Sequence, residues 1–122
     1  MVSKNVLVVD DNTFIVRMLT AKLIRAGYMV GSASDGLESL EVARQQRPSL
    51  VLMDWLMPRM DGIEATRRFK GDPELAHIPI LMLTCKGQED DEEVAMKAGV
   101  ERYITKPFHI DSLMALVEEM LL

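Results

Sequence analysis

Short runs of Val, Ile and Leu alternate with stretches of helical period, and this alternation limits what a chain of 122 residues can fold into. Val6–Val9, Leu50–Met53 and Ile80–Leu83 are continuous apolar runs bounded by polar or turn residues, as expected of strands buried on both faces. Tyr28–Val30 and Arg102–Thr105 are weaker runs and predict edge strands. Between the runs, Ile15, Leu19 and Leu23 recur at i, i+4, i+8, and Leu113, Leu116, Val117 and Met120 at i, i+3, i+4, i+7, each the stripe of an amphipathic helix.

Asn12 or Thr13, Asp61 and Asp111 stand where helices could start, and Gly27, Gly71 and Gly99 where they should stop. The second helix is expected over about Leu37 to Gln46, ending before Pro48. The third follows Asp61-Gly62, and the fourth begins in the acidic run Glu89–Glu93, where negative charge favours a helix N-terminus. Five βα units without a repeat or long linker predict an α/β domain: an open, doubly wound parallel sheet, helices on both faces, right-handed crossovers. With 48% hydrophobic residues the chain can build one core, so residues 1–122 are expected to form a single domain.

The formal charge of -5, from 14 basic and 19 acidic residues, provides no basic patch to neutralise nucleic-acid phosphates and argues against direct DNA or RNA binding. A single cysteine, Cys85, excludes an internal disulfide and a cysteine-rich metal site. No charged start precedes an apolar run, and the apolar stretches are too short to span a bilayer, which points to the cytoplasm and away from a membrane. Ten methionines suggest a core filled in part by flexible thioethers. Cys85 reads as small core filler, and His77 and His109 as loop or helix-start residues.

In open α/β sheets the binding crevice lies at the carboxyl ends of the strands. The first run ends in Asp10-Asp11, the third in Asp54, the fourth in Thr84 and the fifth in Lys106, while the second ends in nothing chemically suggestive. Asp10-Asp11 alone reads equally well as a helix cap. Beside Asp54 and Lys106 it becomes one part of a crevice holding three carboxylates, a hydroxyl and an ammonium. The carboxylates repel at roughly 1 kcal/mol per pair 4 Å apart in water and about 4 at a surface-like dielectric, a conflict that a divalent cation resolves. Oxygen-only ligands favour Mg²⁺, and zinc is disfavoured by the lack of Cys and His at these ends. A carboxylate so placed can attack a phosphoryl group, with Lys106 adding positive charge and Thr84 a hydrogen bond, to give an aspartyl phosphate.

Asp10-Asp11 after Val6-Leu7-Val8-Val9, Asp54-Trp55-Leu56-Met57-Pro58 with Asp61-Gly62 behind it, Leu83-Thr84, and Tyr103-Ile104-Thr105-Lys106-Pro107-Phe108 together resemble a bacterial response-regulator receiver domain. The resemblance covers essentially the whole chain, whose length is close to that of the stand-alone chemotaxis regulator. It implies a flavodoxin-like strand order 2-1-3-4-5 and phosphoryl transfer to Asp54 from the phosphohistidine of a sensor histidine kinase. It further implies Mg²⁺ held by Asp10, Asp11, Asp54 and the backbone carbonyl of Trp55, a switch pair of Thr84 and Tyr103, and a cis Lys106-Pro107 peptide. Such a domain is no conventional enzyme and catalyses only its own phosphorylation and dephosphorylation. Its fourth helix, fifth strand and fifth helix would present a changed surface to an output protein or effector domain, with dimerisation of the phosphorylated form open to it. Cys85 departs from the family habit of Ala or Gly after the switch threonine. In the family, the residues at Leu56 and Lys86 tune phosphate lifetime, and an apolar Leu56, unable to position water, predicts slow self-hydrolysis.

Three other readings compete. A haloacid-dehalogenase-like phosphatase also places an aspartate after its first strand, but its Asp-x-Asp pattern is broken by Asn12. A flavodoxin-like carrier would need its first loop to hold a flavin phosphate, which Asp10-Asp11 would repel. A receiver-like interaction module that is never phosphorylated is opposed only by the intact set Asp10, Asp11, Asp54, Thr84 and Lys106.

Overall fold

Apolar runs without alternation need cover on both sides, and the topology provides it. A computed structural model describes residues 4–85 and 89–122. Among these, strands and helices alternate as β1 (Asn5–Val9), α1 (Thr13–Arg25), β2 (Met29–Ala33), α2 (Gly36–Gln46), β3 (Leu50–Met53), α3 (Gly62–Gly71), β4 (Ile80–Thr84), α4 (Glu89–Ala98), β5 (Arg102–Thr105) and α5 (Ile110–Met120). The strands form one parallel sheet in the order β2-β1-β3-β4-β5, the expected doubly wound arrangement with β2 and β5 at the edges.

Side chains alternate along each strand, so two cores form. Leu7, Val9, Val51, Met53, Ile80 and Met82 face a cluster with Leu40 of α2, Phe69 of α3 and Ala95 of α4. Val6, Val8, Leu50, Leu52, Leu81 and Leu83 face Leu19 and Leu23 of α1 and Leu113 and Val117 of α5. Met53 and Met82 are fully buried, but Met29 and Met96 are exposed, so the thioethers are only partly core material.

Strand β2 runs further than its apolar signal. Gly31, Ser32 and Ala33 pair with Leu7, Val8 and Val9, and an edge strand of small or polar residues needs no apolar run. Tyr28, expected in the strand, packs instead against the α1 and α5 core. Asn12 caps α1 by accepting from the Phe14 and Ile15 amides, and Asp61 caps α3 through Glu64. The start of α5 differs from expectation: His109 is the cap residue, without a side-chain bond, and Asp111 lies in the first turn, where its charge still suits the helix dipole. Gly27 and Gly99 adopt positive φ after α1 and α4, whereas Gly71 remains within α3 and the helix closes at Asp72. No helix among the described residues is long and apolar enough to cross a membrane.

Candidate functional site: an acidic cleft at the carboxyl edge of the sheet

Three residues just beyond the strands are still tied into the sheet. The Asp10 amide donates to the Ala33 carbonyl (3.1 Å), the Asp54 amide to Val9 (2.9 Å) and the Lys106 amide to Thr84 (2.8 Å). Each side chain therefore leaves a fixed backbone. They open into a cleft of about 250 Å³ that Asp10, Asp11, Asp54, Thr84 and Lys106 line together with Leu56 and Cys85. The sequence-predicted set thus converges, and the Lys106-Pro107 peptide that delivers the lysine is cis, as the resemblance implies.

One carboxylate oxygen from each of Asp10, Asp11 and Asp54 lies within 4.8 Å of the others. Asp10 and Asp54 are buried, while Asp11 stands exposed at the rim. Asp10 Oδ1 accepts from the Asn12 amide (2.9 Å), and its Oδ2 accepts from Lys106 Nζ (2.7 Å). Asp54 Oδ1 accepts from the Trp55 amide (2.9 Å) and lies 3.6 Å from Lys106 Nζ. The lysine therefore leans toward Asp10. Burial, first, and then the Asp10 charge push the Asp54 carboxyl up to about 6; Lys106 and the Trp55 amide oppose this, and Asp11 adds to it. Burial also works against the Lys106 charge, but the hydrogen bond and charge of Asp10, with Asp54 behind, hold its pKa above the ordinary value.

Three carboxylates face one ammonium here, and the surplus negative charge with oxygen-only donors fits a hard divalent cation. The Trp55 carbonyl is already engaged, accepting from the Gly62 amide at 2.8 Å, so a metal role for it would rest on the oxygen's second lone pair. A Cβ on Gly62 would sit 2.1 Å from the Asp54 carbonyl oxygen, which is why the chain can close so tightly behind Asp54 only with glycine at this position.

Thr84 is fully buried at the end of β4. Tyr103 on β5 is partly buried; it is paired with Met82, and so it projects from the same face of the sheet as Thr84. Its hydroxyl pKa is raised by burial and then by Asp91 and Glu92 of α4. Leu56 is 58% exposed at the cleft mouth. Cys85 is also exposed, not core filler, because it lies just past the last residue of β4. Lys86 lies outside the described residues. The sequence reading missed Asp35, just past β2, which is buried, caps α2 through the Glu38 amide and pairs with Arg59. The Asp-x-x-Glu spacing of a capping box was its signal; Arg59, in a loop 24 residues away, had none.

A family model for the response regulator receiver domain matches residues 6–118. The chain is 40% identical over 121 residues to the phosphate regulon transcriptional regulatory protein PhoB of Pseudomonas aeruginosa, covering 99% of this chain and 53% of that protein. It is 37% identical to the polar-differentiation response regulator DivK of Brucella anthropi, over 88% of this chain and 87% of the relative. The chain thus spans about half of one relative and most of the other. Among solved structures, the chemotaxis protein CheY4 of Vibrio cholerae superposes with a TM-score of 0.92 at 31% identity, covering 98% of this chain and all of the other.

The raised Asp54 pKa makes a stability prediction. Its ordinary value is 3.8 and its folded value about 6, so the folded state holds this proton more tightly. Stability from this group is full below about pH 4, falls as pH rises to about 6, and stays low above. In chelator at neutral pH, Asp54→Asn should therefore be more stable than the parent by about 1–3 kcal/mol in denaturant titrations. The gap should close below about pH 4, and Mg²⁺ should narrow it by stabilising the parent. A parent at least as stable as the variant in chelator would contradict this electrostatic account.

Proposed function

The chain belongs to the response-regulator receiver family of two-component systems, and from that membership we propose that Asp54 accepts a phosphoryl group from a sensor histidine kinase in a Mg²⁺-dependent reaction that switches affinity for an output partner. One observation carries the reading: Asp10, Asp11, Asp54, Thr84 and Lys106 line one cleft. We take residues 1–122 as one receiver domain that acts in the cytoplasm and does not itself bind nucleic acid. PhoB is by name a transcriptional regulator, but this chain spans only 53% of it, so that activity does not carry over to the present protein.

Receiver domains use Mg²⁺ at an acidic pocket, and an ion held by Asp10, Asp11 and Asp54, with Trp55 as a further backbone donor, would place positive charge beside the oxygens of the incoming phosphoryl group. The chain's own residues do the rest. The contacts of Asp54 with the Trp55 amide and Lys106 fall on Oδ1, which fixes the side chain and leaves Oδ2 for attack. Oδ2 forms the new bond to phosphorus, the P–N bond of the phosphohistidine breaks, and the imidazole nitrogen leaves with the electron pair. Lys106, already 3.6 Å from Asp54, turns from Asp10 to a phosphoryl oxygen. The Thr84 hydroxyl donates to another. Hydrolysis of the aspartyl phosphate by water resets the domain. Receiver domains are generally not conventional enzymes, and this one would catalyse these two self-directed steps alone.

In the switch, Thr84 moves toward the phosphate and Tyr103, on the same sheet face, turns inward, which changes the surface of α4, β5 and α5 that faces the partner or a second copy. A phosphorylation-independent interaction module is the second reading, and the cleft opposes it, because three crowded carboxylates cost stability that a mere docking surface has no need to spend.

Incubation with Mg²⁺ and acetyl phosphate should add one phosphoryl mass to the parent and none to Asp54→Ala by intact-mass spectrometry; no gain in the parent favours the unphosphorylated module. An apolar Leu56 cannot orient an attacking water, so the parent phosphate should decay more slowly than that of Leu56→Asn, and equal or faster decay rejects this role. Tyr103→Ala should phosphorylate at the parent rate yet lose the phosphorylation-dependent gain in partner affinity, and an unchanged gain in a pull-down or titration removes Tyr103 from the switch.

A further inference from the structure

Outside the cleft, Asp35 is the one buried charged residue among the described residues, and a helix cap explains only half of its carboxylate. Oδ1 accepts from the Glu38 amide (2.9 Å), while Oδ2 accepts from Arg59 Nε (2.8 Å). Arg59 belongs to the loop that leaves Asp54, and it is held at φ +65, a left-handed conformation uncommon for a residue with a side chain. That loop is pinned by two backbone hydrogen bonds beyond Leu56. At Gly62 it closes on the Trp55 carbonyl. At Met60 its carbonyl accepts from the Gly36 amide (2.9 Å), an approach so close that a Cβ on Gly36 would lie 2.5 Å from the same oxygen. The Arg59–Asp35 pair is a side-chain clasp just ahead of these anchors and nearest Leu56, and it ties the loop to the start of α2. Leu56, by contrast, is 58% exposed where it lines the cleft, so its placement over Asp54 depends on its loop rather than on packing of its own.

We propose that Arg59 is a positioning residue whose ion pair with Asp35 fixes the loop after Asp54, so that Leu56 shields the aspartyl phosphate from water. The proposal rests on Asp54 as phosphoacceptor. Arg59 touches no reacting atom and acts through Leu56. Because Arg59 lowers the Asp35 pKa below its ordinary value, the pair persists through neutral and mildly acidic conditions.

A double-mutant cycle on phosphate lifetime tests this, since residues that act through one another are not additive. The parent, Arg59→Ala, Leu56→Ala and the double variant are phosphorylated with acetyl phosphate and Mg²⁺, the donor is removed, and decay is followed by intact mass well below each unfolding temperature. Arg59→Ala should decay roughly threefold faster or more, and the double variant no faster than Leu56→Ala alone. Arg59→Lys should restore most of the lifetime through its point charge. Asp35→Asn, which keeps a good helix cap but drops the charge, should reproduce the acceleration of Arg59→Ala. Parent-like decay in Arg59→Ala and Asp35→Asn, or effects of Arg59 and Leu56 that multiply in the double variant, overturns the clasp while leaving Asp54 as phosphoacceptor. A parent that gains no phosphoryl group overturns both.

Discussion

Three carboxylates share one small cleft, and their mutual repulsion is the constraint around which the rest is arranged. Two unit charges 4 Å apart cost about 4 kcal/mol at a surface-like dielectric, and Asp10, Asp11 and Asp54 bring their oxygens within 4.8 Å with two of the three buried. One ammonium cannot balance that. Lys106 settles on Asp10, and Asp54 is left with its pKa raised to about 6. The same imbalance that weakens the fold suits the cleft to a hard dication, and it is what the proposed phosphoryl transfer would draw on. A lone aspartate on the surface would carry no such imbalance.

A parallel sheet can hold such a site because its hydrogen bonds do not depend on the side chains at its edge. Asp10, Asp54 and Lys106 each donate a backbone amide to the neighbouring strand, so repulsion between their charges is met by a ladder rooted in two apolar cores. Strand order does the rest. In β2-β1-β3-β4-β5 the chain reverses direction of growth between β1 and β3, which sets the ends of those two strands side by side at the switch point where open sheets bind ligands. Asp10 and Asp54 stand at those two ends.

The parts of the site that were legible in the sequence are those that end an apolar run. Val6–Val9, Leu50–Met53 and Ile80–Leu83 locate the central strands, and the residues after them reach the cleft because crossovers in one hand return every strand pointing the same way. Elements without a period were harder to read. The end of β2 is Gly31, Ser32 and Ala33, an edge that lacks apolar residues and so showed less than its length. Cys85 looked like filler by residue type, but its exposure is decided by a position just past the strand. The Arg59–Asp35 pair joins two loops, where neither helical nor strand spacing constrains side chains, and only the folded chain brings them together.

The proposed switch also needs a path from the phosphate to a distant surface, and the two faces of the sheet are not equal in this respect. Phosphate binding must favour one conformation strongly, since moving a population from 1:99 to 99:1 takes about 5.5 kcal/mol of differential affinity. On the face of α1 and α5, strand β4 contributes Leu81 and Leu83 to a core with Leu113 and Val117 fully buried, and a shift there would open a cavity. The opposite face carries Thr84 at the cleft end of β4 and, on the neighbouring strand, Tyr103, a side chain only partly buried beside α4. Asp91 and Glu92 of α4 already bear on the Tyr103 hydroxyl, raising its pKa after burial has done so. In the proposed switch, the signal would therefore pass from Thr84 along this face to Tyr103 and on to α4, whose acidic residues bear on that hydroxyl.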